Sequence, residues 1–137
     1  MYLTNNFRLR EFTRSAVAES HGIDNSVKNN TTFHSILQLC EEILQPIRDD
    51  LGPVQILSGY RCEALNKMVG GAELSQHLRG EAADISVPGY PAGKLYEYIR
   101  DNYQFDQLIW ETSKTGLSWV HISWCPILRQ QSFLLVK

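Results

Sequence analysis

His77 and Asp84 stand seven positions apart in the run Ser75-Gln-His-Leu-Arg-Gly-Glu-Ala-Ala-Asp84, and His121 follows in Trp119-Val-His-Ile-Ser123. Two imidazoles and one carboxylate are a common donor set for a catalytic zinc whose fourth position stays open to water. The chemistry expected from His77, Asp84 and His121 is therefore hydrolysis by water at Zn2+. Taken singly, a histidine is more often a surface or core residue than a ligand, and a lone aspartate says less still. The joint frame carries the weight. His21 and His34 sit in polar, helix-associated stretches and are expected to be no ligands.

The three side chains can meet only if the intervening chain bends. On one continuous helix His77 and Asp84 would lie about 10.5 Å apart along the axis, nearly beyond the reach of both side chains. Gly80 points instead to a turn after Leu78-Arg79. Residues 82–87 then alternate as a strand, with Ala83, Ile85 and Val87 on one face and Asp84 and Ser86 on the other. Residues 118–124 read as a second strand, His121 opposite in facing to Val120 and Ile122. If the two strands pair, Asp84 and His121 project from one side of the sheet, and His77 reaches in from the loop above.

The remaining chain supplies a scaffold. Ser15 to His21 reads as a short helix stopped at Gly22, and Asn25 to Asn30 as a polar loop. The clearest helix starts at a Thr31 or Thr32 cap, with Ile36, Cys40, Ile43 and Ile47 at helical spacing. Pro46 is expected to kink or end it. Val54 to Leu57 reads as a strand, Glu63 to Met68 as a short helix ended by Gly70-Gly71, and Pro91 to about Asn102 as a helix. Phe105 to Trp110 and Ser118 to Trp124 form a hairpin around a loop at Thr112 to Gly116, and Ser132 to Val136 is a last strand. Helices early and strands late predict an α+β fold: a small antiparallel sheet backed by helices.

With 137 residues, 43% hydrophobic and 20% charged, the chain is expected to be one domain, 1–137, with a full core. The net charge of −2 gives no footprint for nucleic acid. No apolar run is long enough for a membrane span, and the first residues carry no secretory signal pattern, so cytoplasmic synthesis is expected. Cys40, Cys62 and Cys125 fit neither a zinc knuckle nor a disulfide framework and are expected to be reduced thiols.

The frame Ser75-x-His77-x-x-Gly80-x-Ala82-x-Asp84, followed by Trp119-x-His121, resembles the zinc D-Ala-D-Ala carboxypeptidases and their relatives, among them dipeptidases, phage L-alanyl-D-glutamate endopeptidases and the hedgehog signalling fold. The resemblance spans about Phe7 to Ser123. It implies that His77, Asp84 and His121 hold zinc in a hedgehog/DD-peptidase-like fold. It further implies a peptidoglycan peptide substrate, cut next to a D-amino acid by carboxypeptidase or endolysin-type endopeptidase action. With cytoplasmic synthesis expected, such an enzyme would either be released to the cell wall on lysis or act inside the cell on recycled wall peptides or D-Ala-D-Ala.

The general base is less direct. In many relatives it lies three residues before the last histidine ligand, where this chain has Ser118, which cannot take the role. Glu111, at the end of Asp106-Gln-Leu-Ile-Trp-Glu111, is the candidate, expected beside His121 if the strands form a hairpin. Its competing readings are a solvated loop carboxylate or a partner of a ligand histidine. Arg61 matches a family arginine in its spacing from His77 and would bind a substrate carboxylate or the oxyanion; the other reading is an exposed arginine at a helix start. Ser75 matches a family serine that contacts substrate, and reads equally as a turn or N-cap hydroxyl. The serine at the usual base position also leaves open a non-catalytic zinc-containing binding module, or a phage structural protein of the same fold.

Overall fold

The computed structural model describes all residues from Met1 to Lys137. The elements run α1 (Leu9–Thr13), α2 (Ala16–Ser20), α3 (Asn30–Leu39), a π-helical turn (Cys40–Leu44), α4 (Gln45–Leu51), β1 (Gln55–Ser58), α5 (Glu63–Met68), a 3-10 turn (Gln76–Arg79), β2 (Ala82–Ser86), α6 (Ala92–Asn102), β3 (Gln107–Thr112), β4 (Ser118–Ser123) and β5 (Gln131–Val136). This is the expected α+β architecture.

The sheet order is β1-β2-β4-β3-β5. The first four strands pair antiparallel, while β5 pairs parallel to β3. The parallel edge departs from the all-antiparallel expectation. Because β4 runs back along β3, it ends where β3 begins. The segment 124–130 rounds that end, and β5 then sets out in β3's own direction. The Gln131 N–H donates to the Asp106 carbonyl at 3.0 Å and starts the ladder.

One face of the sheet carries Ile56, Ile85, Val120, Ile122 and Leu108, all buried against the helices with Ile36, Leu39, Ile43, Leu95 and Ile99. Period-2 alternation sends the intervening residues to the other face. At β1 the register shifts between Ile56 and Ser58, so that Ile56 opposes Ile85 and Ser58 already opposes Asp84. Leu57 is the extra residue of this bulge and faces outward, which re-aims the end of β1 toward the open face.

Three local expectations are corrected. The long helix does not break at Pro46. It runs from Asn30 to Leu51 through the π turn. Pro46 has no N–H to give and its ring crowds the preceding turn, and the widened π turn takes up both effects. The helix cap is Asn29, not a threonine: its side-chain oxygen accepts from the Thr32 N–H at 2.8 Å, and Thr32 itself is buried. The first hairpin strand is shifted two residues along the chain, Gln107–Thr112 in place of Phe105–Trp110, while β4 begins at Ser118 as expected.

Asn25, expected in a polar loop, is 6% exposed and ties three segments together. Its amide donates to the carbonyls of Thr13 (2.9 Å) and Tyr60 (3.0 Å), and its oxygen accepts from the Cys62 N–H (2.7 Å). Gly59 belongs to the same junction: a Cβ there would lie 2.6 Å from the Phe12 Cα, so only glycine lets the end of β1 press against α1. Asn25→Ala strands three backbone groups, and the expected outcome is a loss of about 2 kcal/mol in unfolding free energy, read from urea denaturation. An unchanged midpoint would show that the junction contributes nothing to stability.

Candidate metal site and cleft

The register places the site in one row across the sheet. Ser58 opposes Asp84, Asp84 opposes His121, His121 opposes Ile109, and Ile109 opposes Phe133, all on the face away from the core. Directly opposed side chains on one face are within about 5 Å of each other at Cβ. Asp84 and His121 are therefore neighbours by register alone.

His77 comes from outside the sheet. It lies on the 3-10 turn, which Ser75 caps by accepting from the His77 N–H at 3.2 Å. Gly80 ends the turn in the left-handed region at φ 73°, where a Cβ would also lie 2.8 Å from Ile36 and from the Thr32 carbonyl. The predicted turn is thus real, and it drops His77 onto the sheet.

One donor atom from each of His77, Asp84 and His121 lies within 4.8 Å of the others. His77 Nε2 and His121 Nδ1 each lie 3.3 Å from the same Asp84 Oδ1. The imidazoles meet edge to face with centroids 5.2 Å apart. His77 Nδ1 donates to the Gly59 carbonyl at 2.7 Å, which fixes the tautomer and leaves the Nε2 lone pair free on the Asp84 side. Burial pushes the Asp84 carboxyl up, but the pull of His77 and His121 outweighs it and holds the group well below the usual carboxylate range. The donor set is thus two nitrogens and an ionised oxygen, converging from a sheet row and an oriented turn. These residues fit a zinc ion.

Glu111 is neither in a loop nor solvated. It lies within β3 and is 4% exposed. It opposes Trp119, not His121, and shares the open face with Ile109 one row from the triad. Its Oε2 accepts from the Trp119 indole N–H at 2.5 Å, and Lys137 Nζ lies 3.5 Å from its Oε1. Ser118 bonds to Thr112 across the strand end, 2.9 Å away, and is exposed. Arg61 is partly buried behind Ser75, its Nη2 donating to Ser75 Oγ at 3.4 Å while Nε has no partner. Burial lowers its pKa, and the negative charges of Asp84 and Glu111 oppose that. Arg61, Ser75, His77, Glu111 and His121 all line one cleft of about 880 Å³.

Sequence reasoning missed several supports. The Gly59 carbonyl and the Trp119 indole carried no signal in residue type. Nor did Asp106, which is 1% exposed. Its carboxylate accepts from Gln76 Nε2 (2.6 Å) on the turn that carries His77. It also accepts from Arg129 Nε (2.7 Å), Nη2 (2.8 Å) and N (3.2 Å) ahead of β5. Glu81 pairs with Arg79 at 2.9 Å. The cysteines are all free thiols, and burial raises the Cys40 thiol.

A family model described as Peptidase M15 matches residues 5–123. The chain belongs to the Peptidase M15 family, and its mostly antiparallel α+β sheet is compatible with that family's fold. No curated protein matches the chain.

The Asp106 junction makes stability depend on acid. The bonds from Arg129, against the opposing effect of burial, lower its pKa from the usual 3.8 to about 2. A depressed carboxyl contributes stability that is fully present above the unfolded value and is lost as pH falls through the folded one. Unfolding free energy should therefore drop by roughly 1–2 kcal/mol between pH 5 and pH 2 on account of this group. In Asp106→Asn that part of the acid limb should be missing, as measured by urea unfolding across the pH range. An identical acid limb in the variant would refute the assignment.

Proposed function

We propose that this Peptidase M15 chain is a zinc-dependent peptidase that hydrolyses peptidoglycan stem peptides at a bond next to a D-amino acid, as a carboxypeptidase or an endolysin-type endopeptidase. The observation that carries the reading is the convergence of His77, Asp84 and His121, with His77, His121 and the buried carboxylate of Glu111 lining one cleft. A purely structural metal site is closed by a fourth protein ligand. Here no fourth protein donor joins the three, and His77 and His121 line a cleft.

His77, Asp84 and His121 would hold the zinc, which when bound supplies Lewis acidity toward water and the scissile carbonyl. Glu111 is the general base. It takes a proton from the attacking water as the water oxygen bonds to the carbonyl carbon, and it returns that proton to the amine nitrogen as the C–N bond breaks. The Trp119 N–H holds Glu111 Oε2, which orients the carboxylate, and Oε1, with Lys137 Nζ 3.5 Å away, is the oxygen that takes the proton. Arg61 faces the developing charge or a substrate carboxylate. It lines the cleft with no carboxylate in ion-pair contact, which leaves its guanidinium free for that role.

Purified protein should carry one equivalent of zinc and cut at least one member of a defined muropeptide panel, with activity abolished by chelator. Glu111→Gln should lower kcat by about 100-fold or more at unchanged zinc content. Asp84→Asn should fail to retain zinc, read by metal analysis, and should lose the rise in Tm that zinc confers on the wild type. Full activity in Glu111→Gln would remove it as the base. Bound zinc with no cut on the panel would favour a binding module of the same fold.

A further inference from the structure

The matched family segment ends at Ser123, yet the cleft does not. β5 lies beyond that segment and extends the site face by one strand, with Phe133 opposing Ile109 and Leu135 opposing Glu111. Phe133 and Leu135 are 40% and 39% exposed, a high value for apolar side chains on a sheet face. Strand spacing puts Phe133 about 9.6 Å from His121, two strands over in the same row. That is the distance of two to three residues along an extended peptide.

Charge marks the same wall. Four cations, Arg61, Arg79, Arg129 and Lys137, line the cleft with Glu111 as the single carboxylate among the lining residues, in a chain whose net charge is −2. Two of the four cations, Arg129 and Lys137, flank β5. The buried Asp106 clamps Arg129 through Nε and Nη2, which leaves Nη1 without a partner on a side chain that is 46% exposed. Lys137 is 55% exposed and touches Glu111 only at 3.5 Å. A guanidinium held by a buried carboxylate loses little freedom when it binds a second anion.

We propose that β5 is the specificity wall of the cleft, and that Arg129 and Lys137, which line it with Leu135 between them, select peptides that carry a free carboxylate on the segment lying over this strand. The inference rests on the peptidase reading for the nature of the ligand and deepens it: stem peptides with free side-branch carboxylates are preferred to amidated ones. Continuity with the triad row and charge complementarity favour this occupant over a second copy of the chain pairing at the open edge of β5.

The test uses the full chain and two synthetic stem peptides, identical except that the side-branch carboxylates of one are carboxamides. KM and kcat are measured on zinc-loaded protein, and Kd on chelator-treated protein, where binding is read without cleavage. The free acid should show a KM and a Kd about tenfold lower than the amide at similar kcat. The double variant Arg129→Gln, Lys137→Gln should abolish that difference at unchanged zinc content. Arg129→Lys should keep most of it while losing stability, because the charge remains and the fork to Asp106 is lost; a merely structural Arg129 would give equal Kd values in wild type and all variants. Equal binding of the two peptides by wild type, or a preference that survives the double variant, would overturn the proposal. If Phe133→Ser, Leu135→Ser converts a dimer to a monomer and leaves both constants untouched, β5 belongs to a second copy and the proposal falls. Failure of the peptidase reading is separate: neither peptide is cut, while the Kd difference still stands or falls by itself.

Discussion

The antiparallel register of β2 against β4 governs the site. Asp84 and His121 are directly opposed, and a slip of one residue would turn one of them into the core. That register is held by what lies on the other face. Ala83, Ile85, Val120 and Ile122 are all essentially inaccessible to water, so any slip would expose a row of aliphatic side chains and bury polar ones. The hydrophobic core thus positions a polar constellation that it never touches.

The third member is held by a different kind of force. His77 rides on a single 3-10 turn with almost no hydrophobic anchor, and it is placed by hydrogen bonds and glycine geometry. The Gly59 carbonyl fixes its ring, Ser75 caps its turn, Gly80 ends it, and Gln76 ties it to the buried Asp106. Gly59 can present that carbonyl only because it has no side chain to collide with Phe12. The entry helices, the β1 bulge and the turn are therefore one mechanical unit, with Asn25 as the cross-tie. The same polar junction at Asp106 carries the chain from β4 round to β5, so the wall of the cleft and the turn beneath it share an anchor.

Glu111 and Ser118 stand at different positions of the fold. A carboxylate three residues before His121 would stand on β4. This chain has Ser118 there, bonded to Thr112 at the strand end, and has its carboxylate on β3 instead. Because Glu111 opposes Trp119 and shares the open face, it enters the same cleft from the neighbouring strand. Lys137 and the Trp119 indole give it partners, which accounts for its burial without a counter-ion inside the core.

Local information in the sequence settled the periodic elements and the three donor types. Alternation at 82–87 marked Asp84 as facing away from Ile85, apolar spacing from Ile36 to Ile47 marked the long helix though not its Asn29 cap, and Gly80 marked the turn that frees His77 from a helical path. These signals are legible because period, turn chemistry and side-chain donor type belong to neighbouring residues. The tertiary structure alone decided which strand edges met and what lay behind each functional group. The parallel seat of β5 beside β3, the pairing of Glu111 with Trp119 in place of His121, the Gly59 carbonyl behind His77, and the Asp106 junction all join residues far apart in the chain. Their energies come from burial and directional hydrogen bonds formed only after the sheet closes, and no spacing along the chain encodes them.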